Sequence, residues 1–463
     1  MKYLFILAAC PFVLLLASCS TKTGGADMSP GEVRLITLDP GHFHAALVQK
    51  ISYPQVSPDV YVYAPEGNDL NEHLKRIDGY NTRTEDPAHW REIVYTGDDY
   101  LERMFAEKKG NVIVTAGNNG RKTAYIEQAI RNGIHVLADK PMAINIADFG
   151  KLEDCFRVAG EKGVLLYDIM TERYEIATIL QRELSLLPDV YGEQTAGSAE
   201  EPAVVMESVH HFLKTVSGNP LLRPAWFFDT KQQGEGIADV AVHLVDLVQW
   251  ELFPEQVIDY RRDIELLDAS HWSTSLTAAQ FAEVTGQAVY PPALAKDVHG
   301  DTLKVYANGD ILYRIKGVHA KVSVVWNYSF PEGGGDTHYS IMKGSKAHLV
   351  IEQGKEQGYR PALYIHAVNA GDTEAYGKAL QSALSVLQSK HPGVDIREMG
   401  TGRWEVTIPD AYHNGHEAHF GQVTEHFLQY LEDGSLPQWE VPGMIAKYYV
   451  TTRAVEMAGA KNR

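Results

Sequence analysis

Val33-Arg34-Leu35-Ile36-Thr37-Leu38-Asp39-Pro40-Gly41-His42-Phe43-His44 is the stretch that decides the fold. Residues 33–38 form a short apolar run, the pattern of a strand buried on both faces. Asp39-Pro40-Gly41 reads as a turn, and residues 42–51 predict a helix. Outward from there, strands are predicted at 59–63, 92–95, 111–115, 134–137 and 163–167. Helices are predicted at 100–109, 122–132 and 146–162, with Gly133 at a left-handed C-cap. Strand and helix alternate over most of residues 33–168, which predicts a doubly wound parallel sheet in an α/β domain.

From Pro202 the pattern changes. Strands are predicted at 203–208, 302–306, 310–315, 320–328, 338–342 and 347–351, with turns at Asn308-Gly309 and Gly354. Helices at 420–433 and 441–457 close the chain. Residues 169–463 therefore read as an α+β domain with a large, mostly antiparallel sheet.

Residues 1–18 read as a bacterial lipoprotein signal peptide: Lys2, an apolar run, then small residues leading into Cys19. The run is too short for a spanning helix. Cys19 is the expected lipidated N-terminus and 19–32 a polar tether, which predicts an exported lipoprotein of the envelope or periplasm. The membrane would be met only through that lipid. Of the three cysteines, Cys10 would be removed and Cys19 lipidated, so Cys155 has no disulfide partner and the fold relies on its core. The net charge of −18, with Lys and Arg scattered, argues against nucleic acid as a partner. The 24 tyrosines suit either carbohydrate stacking or a large sheet.

In a Rossmann-type sheet the first strand–turn–helix cradles a dinucleotide pyrophosphate. The usual G-x-G-x-x-G is here Asp39-Pro40-Gly41-His42-Phe43-His44, which keeps only the middle glycine. The backbone N–H groups of Gly41, His42 and Phe43 remain candidate phosphate donors, with His44 closing the turn. Glu66, past the second strand, is the candidate ribose-binding acid. No Arg stands near it in sequence, which favours NAD(H) over NADP. Asn118 and Asn119, past the fourth strand, are candidate cofactor ligands or simply turn formers.

Two further fragments point to chemistry. Asp139-Lys140-Pro141 follows the fifth strand, where a Lys reaches the cofactor crevice and can polarise a substrate hydroxyl. Gly234-Glu235-Gly236 leads into Asp239, His243 and Asp246, spaced i, i+4 and i+7 on one helical face. An acid one turn from a His can orient it and tune its basicity. These fragments resemble the Glu-Lys-Pro and Gly-Gly-x-x-x-Asp-x-x-x-His-x-x-Asp signatures of the glucose–fructose oxidoreductase / inositol dehydrogenase (Gfo/Idh/MocA) family. Arg173 and the Trp226 segment match the same pattern. The resemblance implies hydride transfer to a nicotinamide. His243 takes the hydroxyl proton, Asp239 orients His243 and Lys140 hydrogen-bonds the same oxygen, with Asp139 beside the cofactor. Arg173, His211, Lys214, Trp226 and Asp246 are candidate substrate contacts. The resemblance also implies pairing of open sheet faces into a homo-oligomer.

His413, His416 and His419 have helix-like spacing, but i and i+6 diverge by about 120°. No metal site is expected there or elsewhere. Gly333-Gly334-Gly335 precedes a strand and reads as a sheet loop. Three functions compete: a sugar or glycoside dehydrogenase with tightly held NAD(H); an NAD-dependent glycosidase that oxidises C3 transiently and eliminates; and a carbohydrate-binding protein with a decayed cofactor site.

Overall fold

The computed structural model describes residues 31–216, 219–369 and 373–461. The signal segment, Cys19 and all but the end of the tether lie outside the described residues. No helix among the described residues is long and apolar enough to cross a membrane.

The first layer is a six-stranded parallel sheet. Its strands are β1 (Leu35–Leu38), β2 (Asp59–Tyr63), β3 (Arg91–Tyr95), β4 (Val112–Thr115), β5 (His135–Asp139) and β6 (Leu166–Ile169), in the order β3-β2-β1-β4-β5-β6. Every residue of β1 and β4 is buried, as expected for central strands covered on both faces. The order reverses between β1 and β4, so the crevice opens at their carboxyl ends. Helices α1 (His44–Leu47), α2 (Asn68–Thr82), α3 (Tyr100–Glu107), α4 (Asn119–Arg131) and α5 (Ile146–Lys162) connect the strands, and α6 (Ile176–Ser185) follows β6.

Two departures from expectation lie here. Helix α1 is four residues long, far shorter than the run predicted over 42–51. The chain leaves it at Gln49, whose carbonyl accepts the Trp90 indole N–H at 2.6 Å. Helix α2 has no counterpart in the sequence-based assignment. Only Leu70, His73 and Ile77 of its fifteen residues are buried, too few for a strong periodic signal.

The second sheet has ten strands, nine along one path and the tenth, Val298–His299, paired off it to residues 302–303. Its path runs through residues 264–277, 302–315, 318–327, 204–211, 337–343, 347–353, 362–367, 403–407 and 395–400. All neighbours on that path are antiparallel except Val318–Asn327 with Val204–His211. Asn308-Gly309 is not a turn; both lie inside one continuous strand, Thr302–Ile315. The hairpin turn is Lys316-Gly317, both at positive φ, as a two-residue hairpin loop requires. Asn308 is buried and bonds to Trp272, Thr274 and Trp326 across a bulge, while Gly309 lets Ile237 approach its strand.

The closing helices, His416–Asp433 and Glu440–Lys461, return to the first layer. Phe420, Val423, Phe427, Met444 and Tyr448 join the core of the parallel sheet.

Candidate active site

The two chemical fragments meet in space. Asp139 ends β5, and the next residue, Lys140, donates from Nζ to Asp239 Oδ1 at 2.8 Å and to the Asp239 carbonyl at 3.0 Å. The Lys140–Pro141 peptide is cis. Lys122, fully buried on α4, donates to the carbonyl of Asp139 at 2.8 Å and to Asn119 Oδ1 at 2.6 Å, which fixes the strand end from below. Burial lowers the Lys122 ammonium to about 8. Lys122 went unassigned from sequence, although a Lys four residues before Ile126 and seven before Ala129, on the inward face of α4, was a visible anomaly.

Asp239 does not orient His243. The helix is broken at Val240, so Asp239 ends one turn, α7 (Gly236–Asp239), and His243 lies in α8 (Ala241–Leu252). Close packing accounts for the glycine in α7: a Cβ on Gly236 would stand 1.8 Å from the Ala307 carbonyl oxygen. The Asp239 carboxylate goes to Lys140, while His243 Nδ1 is buried without a hydrogen-bond partner. Burial, then the Lys140 charge, then His416 hold the His243 imidazole well below its ordinary value, so it is neutral near pH 7.

Arg173 and Asp246 are not substrate contacts. Asp246 is 2% exposed and accepts from Arg173 at 2.6 and 2.7 Å and from Lys447 at 2.7 Å. Lys447 also holds Asp168 on β6, and Arg173 also holds Glu440. These five charges tie the sheet, α8 and the last helix together. Lys447 stands some 200 positions from Asp246 in sequence, which hid the network.

At the cofactor end, the turn after β1 is not a free amide cradle. Both Gly41 N–H and His42 N–H donate to the Ala116 carbonyl at 3.1 Å. A Cβ on Gly117 would lie 2.4 Å from the Asp39 carbonyl oxygen, so the two βα turns pack closely only with glycine there. Asp39, at φ +46°, is held by the Tyr125 hydroxyl at 2.8 Å and Arg121 at 3.4 Å. Phe43 caps α1 and packs against both the His42 and His44 rings, which themselves meet edge to face at 4.0 Å. His44 Nδ1 sits 3.1 Å from both Asp139 carboxylate oxygens. Burial drives both imidazoles, His42 and His44, well below their ordinary range.

A cavity of about 280 Å³ opens at the ends of β1, β2 and β4. Asp39, Gly41, Glu66, Asp69, Asn118, Arg121 and Trp226 line it. Arg121, from α4, is the guanidinium that sequence proximity missed, so the preference for NAD(H) based on a lone Glu66 no longer holds. Trp226 belongs to this cavity: its ring covers Gly41 and its Nε1 donates to Asp69 at 2.8 Å. The segment after it straps across the crevice. Gln232 carbonyl and side chain bind Gly120 N–H and Asn118, and the Gln233 carbonyl takes Asn119 Nδ2. Asn119 is thus buried and fully engaged, not a free ribose ligand.

In the second domain, Asp336 gathers His211 at 2.9 Å and Lys214 at 3.0 Å, with His210 at 3.5 Å. Burial lowers the His210 imidazole, the Asp336 carboxylate opposes that, and the Lys140 charge adds a smaller lowering. His416 enters from the closing helix, its ring 5.3 Å from that of His44. His210 is the other member of the His210-His211 pair, while Asp336, past the Gly333-Gly334-Gly335 loop, had no local sequence pattern to expose it.

Residues 69–167 match the family described as "Oxidoreductase family, NAD-binding Rossmann fold", and residues 180–459 match "Putative oxidoreductase C terminal domain". No curated protein matches the chain. A crystal structure described as a "putative oxidoreductase" from Parabacteroides merdae is 64% identical, with TM-score 0.93, over 94% of this chain and 100% of that one. GenD2 of gentamicin A biosynthesis, in complex with NAD, is 15% identical with TM-score 0.56, over 95% of this chain and 97% of that one. A 3-ketoreductase from Actinomadura kijaniata, in complex with NADP and TDP-benzene, is 13% identical with TM-score 0.53, over 90% and 95%. The last two share the fold. From the two-sheet architecture, the Lys140–Asp239 pair and these matches together, the chain belongs to the Gfo/Idh/MocA family of oxidoreductases with an NAD(P)-binding Rossmann fold.

Proposed function

We propose that the chain oxidises a hydroxyl of a sugar or glycoside, or reduces the matching ketone, with a dinucleotide held in the crevice. The observation that carries this is the Lys140–Asp239 pair beside His243, a neutral imidazole with a buried, uncommitted ring nitrogen. The residues present fit the dinucleotide. Glu66, Asp69 and Asn118 offer ribose partners, and Arg121 offers the positive charge that the occupied Gly41 and His42 amides no longer supply. With Arg121 in the cavity, NAD(H) and NADP(H) both suit it. When bound, the nicotinamide supplies the hydride acceptor.

Lys140 donates a hydrogen bond to the substrate oxygen and stabilises charge as it develops there. Asp239 keeps that ammonium in place at 2.8 Å. A ring nitrogen of His243 takes the hydroxyl proton, a role open to it because burial keeps the ring neutral. The Asp336 cluster, with His211 and Lys214, offers hydroxyl partners for the rest of the sugar.

The strap over Asn118–Gly120 supports a second form of the same chemistry. The Gln232 and Gln233 contacts would help keep a bound dinucleotide with the protein, which would suit transient oxidation at C3, elimination of the glycosidic substituent and re-reduction. The intact Lys140–Asp239 pair argues against a purely carbohydrate-binding role. Export as a lipoprotein anchored at Cys19 belongs to the same proposal, and labelling with a fatty-acid probe tests it.

The test is a glycoside panel with product analysis and absorbance at 340 nm, run on the wild type, Lys140→Met and His243→Asn. Loss of a positioned acid–base group is expected to lower turnover by about 10²–10⁴-fold. Wild-type turnover in Lys140→Met would overturn the assignment.

A further inference from the structure

We propose that His42, His44 and Asp139 form a divalent-metal site at the turn after β1. One ligand atom from each lies within 4.8 Å of the others. His44 Nδ1 is 3.1 Å from both carboxylate oxygens, and His42 Nδ1 is 3.6 Å from Asp139 Oδ2. Metal–ligand bonds of about 2.1 Å put neighbouring ligand atoms about 3.0 Å apart at right angles and about 3.4 Å apart at the tetrahedral angle. The observed separations of 3.1 and 3.6 Å lie within about 0.2 Å of those polyhedron edges, and His42 Nδ1, which accepts the His44 backbone N–H at 3.4 Å, is too far from Asp139 for a hydrogen bond.

The sequence departures converge on the same point. His44 stands where the third glycine of a dinucleotide fingerprint would be, and Asp139 where the family signature has Glu. These are separate changes ninety-five positions apart, and their side chains touch. Nothing in the dinucleotide chemistry above calls for that contact.

The site is also rigid and electrostatically unfinished. Gly41 and His42 are pinned to the Ala116 carbonyl, Asp139 ends a strand whose last four residues are buried, and His44 packs on Phe420 at 4.6 Å. Asp139 is 3% exposed, yet among the described residues no ammonium or guanidinium touches its carboxylate. Lys122 is committed to backbone carbonyls and Asn119, and Lys140 to Asp239. A buried carboxylate whose direct partners are imidazoles, with the Lys122 ammonium acting only through space, remains costly, and a divalent cation among the three would offset part of that cost. The two ammoniums oppose the cation at longer range. Of them, Lys140 already has the Asp239 carboxylate at 2.8 Å.

Two imidazoles and one carboxylate suit zinc or a neighbouring first-row divalent ion. They leave one position open in a tetrahedral site and three in an octahedral one, as catalytic metal sites do. An oxygen donor of the substrate would complete it, beside Lys140.

The test uses the intact mature chain, with any affinity tag removed, stripped by a chelator and titrated with Zn²⁺ against a chromophoric competitor. One Zn²⁺ per chain with Kd below about 1 μM is expected. Asp139→Asn, which keeps the shape, and His42→Gln with His44→Gln should each weaken binding at least 100-fold while circular dichroism stays native. Co²⁺ substitution should give visible absorption bands that the variants lose. Absence of a stoichiometric site in the wild type overturns the proposal, and so does unchanged affinity in Asp139→Asn. Neither dinucleotide nor sugar enters the assay, so its outcome is independent of the oxidoreductase reading.

Discussion

Lys447→Met is expected to destabilise the chain by about 3–5 kcal/mol, the cost of stranding a buried carboxylate by removing its partner. Lys447 is 0% exposed, and its Nζ lies 2.7 Å from Asp246 and 3.0 Å from Asp168. Without it, Asp246 keeps Arg173, so most of the loss falls on Asp168, left with the Tyr448 hydroxyl at 2.8 Å. Met fills nearly the same volume, so little cavity cost is added. Urea unfolding followed by circular dichroism, read as a shift of the first transition, measures the difference. Two controls identify the mechanism. The deficit should shrink in acid, because protonation neutralises the stranded carboxylate. Adding Asp168→Asn should recover about 1–3 kcal/mol, the coupling expected of a contacting pair. A loss below about 1 kcal/mol, or one equal at pH 5 and pH 8, would refute the claim that this network ties the two layers together.

Glu92 gives a second pH test. Burial, only partly opposed by the Gln49 hydrogen bond, raises its carboxyl to about 7. Its folded pKa therefore exceeds its unfolded one, unfolding releases a proton between about 4.5 and 7, and stability falls as pH rises through that window. Glu92→Gln should raise the melting temperature at pH 8 and leave it nearly unchanged at pH 4.5; equal effects at both would contradict this. Gly236→Ala should lower turnover and stability together, since its Cβ would meet the Ala307 carbonyl at 1.8 Å and displace the turn that carries Asp239. A fully active Gly236→Ala enzyme would show that the turn has slack. Trp226→Ala removes the cover over Gly41 and the bond to Asp69, so dinucleotide dissociation in stopped flow should quicken about tenfold or more. An unchanged off-rate would place the cofactor elsewhere.

The parallel sheet was legible because its strands are short apolar runs with turn residues at their carboxyl ends, and burial of both faces enforces that composition. Lys140 and Asp239 were legible for the same reason: each follows a readable element. What failed was pairing. Asp239 and His243 have helical spacing, but the helix is interrupted at Val240, just past the turn in which Gly236 packs on Ala307, and a contact between elements leaves no periodic trace. Asn308-Gly309 carries the composition of a hairpin turn, yet here the glycine admits Ile237 and the asparagine satisfies a bulge. Arg173 and Asp246 looked like site residues because buried charge is rare; the partner that explains them, Lys447, lies in the last helix. Arg121 escaped notice because the cavity joins β2 to α4 through space.

The most direct test of the oxidoreductase assignment is to denature the protein purified from cells that process it normally and to weigh what is released. NAD(H) or NADP(H) at about one per chain, shifting between oxidised and reduced forms when a glycoside is added before denaturation, is the expected result. No dinucleotide released, together with no binding when NAD or NADP is supplied, would contradict it.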